Sequence, residues 1–140
     1  MSYNVLIVDD SRSMRKVILK SLRLFGFQLG ECFEASNGQE ALDILEDKWV
    51  DLILSDVHMP VMDGIGLMRA LREKDICANT PMVFVTTEAN EDTLKQLMDL
   101  GASVYLRKPF RPEEMKALLS RIMGETDGFR AGTSVEGCDF

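Results

Sequence analysis

The chain is poor in the residues on which several chemistries depend. Its 140 residues include one histidine, His58, and three cysteines, Cys32, Cys77 and Cys138, at no spacing that suits a metal. Zinc sites draw on clustered Cys and His ligands, so zinc is not expected. Three scattered cysteines also give no disulfide framework and are expected as reduced thiols. No apolar run approaches the ~20 residues that cross a bilayer. The opening Met1-Ser2-Tyr3-Asn4 has no basic residue, and the apolar run behind it is too short for a secretion signal. No membrane insertion and a cytoplasmic location are therefore expected. Cations are scarce as well, with 16 Lys and Arg against 23 Asp and Glu, a net charge of −7. Nucleic-acid binding needs cationic charge to displace counterions from phosphates, so direct binding is not expected. The first apolar run is followed by Asp9-Asp10-Ser11-Arg12, without the glycine-rich turn that cradles a nucleotide or flavin phosphate.

What is present is a strict alternation of short apolar runs and helical patterns. Val5–Val8 is continuous and apolar, as a central parallel strand covered on both faces should be. Ser11 can cap a helix whose apolar positions are Met14, Val17, Ile18, Leu22 and Phe25, with Gly26 as its stop. Cys32-Phe33-Glu34-Ala35 alternates more and suits an edge strand. Asn37-Gly38 signals a turn before a short helix carrying Ala41, Leu42, Ile44 and Leu45. Leu52–Leu54 is the third strand, followed by a loop through Asp63-Gly64 and a helix marked by Ile65, Leu67, Met68 and Leu71. Met82–Val85 and Val104–Leu106 are the fourth and fifth strands. Leu94, Leu97 and Met98 mark the helix between them, stopped by Gly101. Pro112, Glu113 and Glu114 open a last helix, where a missing N–H and negative charge are both tolerated. Gly124 ends it. Trp49 is expected to be a packing residue remote from Asp56.

Five strand–helix units predict an α/β fold, a doubly wound five-stranded parallel sheet with five helices, flavodoxin-like. The order 2-1-3-4-5 is favoured because the second strand is the least apolar and fits an edge. Residues 1–124 would be one domain. Residues 125–140, rich in Gly, Ser, Thr and charge, read as a flexible C-terminal tail. Cys138 and Phe140 leave open a short partner-binding segment there.

In such sheets ligands bind outside the carboxyl ends of the strands. Asp9-Asp10, Asp56, Thr86-Thr87 and Arg107-Lys108 all stand just past strand ends. Gathering three carboxylates is unfavourable, because like charges raise one another's pKa. A cation relieves that, and an all-oxygen set suits Mg²⁺, which keeps waters and shares itself with phosphate. A carboxylate can also attack phosphorus and form an aspartyl phosphate. Lys108 and the Thr86 hydroxyl could then meet phosphoryl oxygens. Simpler readings stand beside these: helix capping for Asp9-Asp10, a snorkelling surface lysine for Lys108, an ordinary strand residue for Tyr105.

The runs Val5-Leu6-Ile7-Val8-Asp9-Asp10, Asp56-Val57-His58-Met59-Pro60-Val61-Met62-Asp63-Gly64, Thr86, Gly101-Ala102 and Lys108-Pro109-Phe110 occur in this order and spacing. With them the chain resembles the receiver domain of bacterial response regulators from residue 4 to about 123. The resemblance implies a phosphorylation-operated signalling switch in which Asp56 takes a phosphoryl group from a histidine kinase. It implies Mg²⁺ held by Asp9, Asp10, Asp56 and the backbone carbonyl of His58. It places Lys108 and Thr86 on the phosphoryl group, makes Thr86 and Tyr105 the switch, and gives Lys108-Pro109 a cis bond. The downstream protein would dock on helix 4, strand 5 and helix 5, including Lys95, Tyr105 and Arg107. His58 and Glu88, two residues past Asp56 and Thr86, resemble positions that tune loss of the phosphoryl group. Thr87 stands where the family tends to have a smaller residue. No output domain is expected, as in the stand-alone chemotaxis regulators, and motor switch, phosphorelay protein and enzyme all stay open as targets. The chain is then no enzyme for an external substrate. A Mg²⁺-dependent phosphohydrolase with an aspartyl nucleophile is the alternative. Such enzymes often place an acid two residues beyond the nucleophile, where this chain has Ser11 or His58.

Overall fold

The structure, a computed structural model, describes residues 2–123. The elements are β1 (Tyr3–Val8), α1 (Arg12–Leu24), β2 (Leu29–Ala35), α2 (Gly38–Leu45), β3 (Leu52–Ser55), α3 (Gly64–Lys74), β4 (Met82–Thr86), α4 (Glu91–Asp99), β5 (Val104–Arg107) and α5 (Pro112–Met123). All strand pairs are parallel, in the order β2-β1-β3-β4-β5. The expected doubly wound α/β sheet is therefore present. The expected tail at 125–140 and the stop at Gly124 lie outside the described residues.

The apolar strands divide their side chains between two cores, because successive residues of a strand face opposite sides. Leu6 and Val8, with Ile53 and Phe84, pack against Leu42 of α2, Leu67 and Leu71 of α3, and Leu97 of α4. Val5 and Ile7, with Leu52, Leu54, Val83 and Val85, pack against Ile18 and Leu22 of α1 and Met115 and Leu119 of α5. A continuous apolar run is thus what two-sided cover demands. Burying one such side chain stabilises the fold by ~1.5–3 kcal/mol.

Local signals fix the helix ends. Ser11 Oγ accepts from the Met14 amide at 3.1 Å, so Ser11, rather than the Asp9-Asp10 pair, caps α1. Asn37, expected in a turn, is the N-cap of α2 and accepts from the Glu40 amide. Gly26 (φ +82°) follows α1 and Gly101 (φ +115°) follows α4 in the left-handed region, where glycine has no Cβ to clash.

Four positions differ from expectation. β2 begins at Leu29 rather than Cys32, because Leu29 pairs with Tyr3 through a shift in register. Val17 and Met98 sit at the margins of their helices' apolar stripes and are exposed rather than packed. Trp49 is 73% exposed. Its indole donates to Asp51 Oδ1 at 2.9 Å, so a polar partner holds it outside the core. It does precede β3, at the opposite end of that strand from Asp56. Cys32 and Cys77 are free thiols. Burial pushes Cys32 up to about 11 and also raises Cys77, so both stay protonated and unreactive near neutrality.

Gly64 ties α3 to the loop that follows β3. Its amide donates to the Val57 carbonyl at 2.7 Å. A Cβ there would lie 2.6 Å from Phe84 Cε1 and 3.0 Å from the Asp56 carbonyl oxygen. Gly64→Ala is expected to destabilise the protein by ~1–3 kcal/mol, as overpacking does. Urea unfolding measures this, and an unchanged midpoint would contradict the close approach of α3.

Candidate functional site

Asp9 and Asp56 extend neighbouring strands by one hydrogen-bonded residue each. The Asp9 amide donates to the Ala35 carbonyl at 3.0 Å and the Asp56 amide to the Val8 carbonyl at 2.9 Å. The sheet ladder therefore fixes both carboxylates at its carboxyl edge. Asp9 is 1% exposed. Its Oδ1 accepts from the Ser11 amide at 2.9 Å. Arg15, from the second turn of α1, donates to the Asp9 carbonyl at 2.7 Å and pairs with Glu34 at 2.8 Å. Asp56 Oδ1 accepts from the Val57 amide at 2.7 Å, and the Ser55 hydroxyl donates to the Asp56 carbonyl at 2.8 Å. Arg15 and Ser55 were not singled out in the sequence. A basic residue six places after Asp9 was the only trace of the first, and nothing in an apolar strand pointed to the second.

The Lys108 ammonium bridges the two acids. Nζ lies 2.9 Å from Asp9 Oδ2 and 3.1 Å from Asp56 Oδ2. Its side chain is only 12% exposed, so it is no snorkelling surface lysine. Burial alone would lower its pKa, but the hydrogen bonds and charges of Asp9 and Asp56 outweigh burial and hold it above its usual 10.5. The Lys108 amide donates to the Thr86 carbonyl at 2.9 Å, and Lys108-Pro109 is cis.

Asp9, Asp10 and Asp56 each offer a carboxylate oxygen, all within 4.8 Å of one another. Asp10 is the exposed member. One ammonium facing three carboxylates leaves a surplus of negative charge, and hard all-oxygen donors suit a hard divalent cation. The residues present therefore fit a metal ion.

The remaining expected residues lie in the loops and strands around this cluster. Thr86 is fully buried at the end of β4, and its Oγ1 accepts from the Glu88 amide at 3.0 Å. Tyr105 pairs in register with Phe84 and is 41% exposed. The His58 imidazole pairs with the Glu88 carboxylate across the two loops. The Asn90 amide and then His58 hold the Glu88 carboxyl below its usual range. Thr87 is exposed. Val61, in the loop after Asp56, has φ +70°. That conformation is strained for a β-branched residue, and nothing in the sequence announced it.

Replacing Lys108 with methionine is expected to destabilise the protein by ~3 kcal/mol, because it strands the buried Asp9 charge. Millimolar Mg²⁺ should recover part of the loss, since a cation that binds only the folded state stabilises it. The lysine's contribution is complete below pH 10.5 and is lost as pH rises through the raised folded value. Urea unfolding of the two proteins with and without Mg²⁺ checks this; equal stability in its absence would contradict the geometry.

Residues 5–120 match the response regulator receiver domain. The chemotaxis protein CheY of Pseudomonas aeruginosa is 35% identical over 124 residues, covering 89% of this chain and 98% of that protein. The phosphate regulon transcriptional regulatory protein PhoB of the same organism is 36% identical over 122 residues. That match covers 87% of this chain, which spans about half the length of PhoB (52%). Among solved structures, the receiver domain of a P. aeruginosa sensor histidine kinase, described with magnesium in its active-site cleft, has a TM-score of 0.76 and 27% identity. It covers 89% of this chain and 99% of that one. The acidic edge of the sheet and its buried lysine thus have a family: this chain belongs to the response regulator receiver domains, the phosphorylation-operated switches of two-component systems.

Proposed function

We propose that Asp56 is the phosphoryl acceptor, that Asp9, Asp10, Asp56 and the His58 carbonyl hold Mg²⁺, and that Lys108 neutralises the transferred group. The observation that carries this is the Lys108 ammonium hydrogen-bonded to both Asp9 and Asp56 at the carboxyl edge of the sheet. Asp56 Oδ1 is held by the Val57 amide, while Oδ2 turns toward the pocket. An Asp56 oxygen forms a bond to phosphorus as the bond to the donor, a kinase phosphohistidine, breaks. The donor nitrogen leaves with that electron pair. Phosphoryl transfer passes through a loose, highly charged transition state, so positioning and charge neutralisation do most of the work. Lys108 supplies one point charge. Mg²⁺, when bound, supplies a second positive partner for the phosphoryl oxygens.

Thr86 responds next. Its hydroxyl donates to a phosphoryl oxygen once it no longer accepts from the Glu88 amide alone. Its movement opens space for Tyr105, and the two alter the face of α4, β5 and α5 that carries Lys95, Tyr105 and Arg107. This shifts a pre-existing equilibrium rather than making a new fold. The downstream protein docks on that face. Among the described residues no helix is long and apolar enough to cross a membrane, and the cytoplasm is the proposed compartment. Residues 1–124 form the receiver unit, and similarity over nearly the whole of CheY supports a role in chemotaxis. The chain catalyses only its own phosphorylation and dephosphorylation. The phosphohydrolase alternative wants a free acid two residues beyond Asp56; His58 stands there, already engaged with Glu88.

Intact mass after incubation with acetyl phosphate and Mg²⁺ is expected to rise by one phosphoryl group. Asp56→Asn should gain none, and equal gain by both proteins would overturn the assignment. Sustained turnover of a generic phosphomonoester would favour the hydrolase instead. His58 and Glu88, paired across the two loops, set the access of water to Asp56 in this reading. Removing both side chains should speed dephosphorylation about fivefold, the equivalent of one ~1 kcal/mol hydrogen bond. An unchanged rate of phosphate release would remove that role.

A further inference from the structure

In a chain of net charge −7, α1 carries Arg12, Arg15, Lys16, Lys20 and Arg23 and no acidic residue. Arg15 is committed to Glu34 and to the Asp9 carbonyl. The other four are exposed and spaced four, four and three residues apart, which puts them on one face of the helix. None of the four makes a salt bridge among the described residues. Val17 and Leu24, 48% and 66% exposed, flank this face. The buried stripe of α1, Ile18, Ser21 and Leu22, is turned the other way. Of the neighbouring elements, β2 brings Glu31 and Glu34, and α5 brings Glu113 and Glu114 balanced by Lys116 and Arg121. Glu34 is already paired, so this face keeps a surplus of positive charge beside exposed apolar side chains.

The chain contains a complementary segment. Residues 125–140 hold Glu125, Asp127, Glu136 and Asp139 against one cation, Arg130, with Phe129, Val135 and Phe140 between them. They continue from α5, which shares a core with α1. Phe25, just past the end of α1, and Ile122 and Met123, at the end of α5, join the same cluster. The last described residue, Met123, thus belongs to the same core as Phe25, which follows Arg23 and Leu24 in the chain. The 13 residues of α1 extend roughly 20 Å at ~1.5 Å per residue. The stretch from 124 to 140 can reach ~56 Å at about 3.3 Å per residue.

We propose that residues 125–140 dock along the exposed face of α1. Their acids meet Arg12, Lys16, Lys20 and Arg23, and their apolar residues cover Val17 and Leu24. Since α1 begins two residues after Asp10, the docked segment stands beside the phosphoryl-acceptor pocket. Docking itself needs no phosphoryl transfer, so its test is independent of the function proposed above.

A nitroxide on Cys138 tests this in the full chain carrying Cys32→Ser and Cys77→Ser. Amide signals of residues 16–24 should broaden selectively at low salt. They should recover at 1 M salt, where the screening length falls to ~3 Å. Lys16→Glu with Lys20→Glu should abolish the broadening, and adding Glu136→Lys with Asp139→Lys should restore it. In the otherwise unaltered chain, Glu136→Lys with Asp139→Lys should shift the α1 amide resonances. Broadening absent from α1, spread evenly over the surface, or growing with protein concentration as for a second copy would overturn the proposal.

Discussion

A single ammonium group lies between two carboxylates that the sheet holds at its edge. Lys108 reaches Asp9 across 99 positions of sequence and Asp56 across 52. Neither acid can withdraw, because each is fixed by a backbone bond to the neighbouring strand. A 1% exposed carboxylate without a cation would be severely destabilising. The lysine meets that demand, yet one positive charge cannot balance three negative ones. The residual imbalance makes the pocket receptive to a divalent ion and to a group that exchanges negative partners for Lys108.

The rest of the fold serves that edge. Five parallel strands end at one side of the sheet, so residues far apart in sequence meet there without any one loop having to be long. The two-sided core makes the central strand ends rigid, since β1, β3 and β4 bury side chains against helices on both faces. Gly64 lets α3 approach close enough to touch Phe84 and the Asp56 backbone at once. Phe84 in turn pairs with Tyr105. Phe84 thus lies between the loop that follows β3 and the exposed tyrosine on β5.

Continuous apolar runs ending in Asp9-Asp10, Asp56, Thr86 and Lys108 made the strands, their parallel direction and the acidic edge legible. Those features follow from burial and from strand ends, which are local. Other features depended on partners remote in sequence. Leu29 became strand only by pairing with Tyr3, and a glycine-flanked stretch gives no sign of that. Trp49 looked like core by residue type but found a polar partner two residues away. Val17 fitted the helical period and still fell outside the stripe, because a helix of 13 residues buries a face narrower than its apolar set. The Arg15 contact to the Asp9 carbonyl could be seen only once β1 and α1 were placed together.

The hydrogen bonds around the pocket also suggest how a local charge could have a distant effect. Lys108 holds Asp56 with its side chain and the Thr86 carbonyl with its amide. The Thr86 hydroxyl accepts from Glu88, and the Glu88 carboxylate holds His58 and the Asn90 amide that opens α4. Each link is an ordinary hydrogen bond, worth ~0.5–1.5 kcal/mol net. Exchanging the partner of one link therefore shifts a two-state equilibrium by up to about tenfold, since 1.4 kcal/mol is a factor of ten. A phosphoryl group on Asp56 would compete for two of these links at once, the ammonium and the threonine hydroxyl. Two links together reach roughly a hundredfold, enough to invert a minor conformer held at a few per cent. The contiguous bonds make such coupling physically available between the acidic edge and the start of α4, with the sheet itself left unchanged.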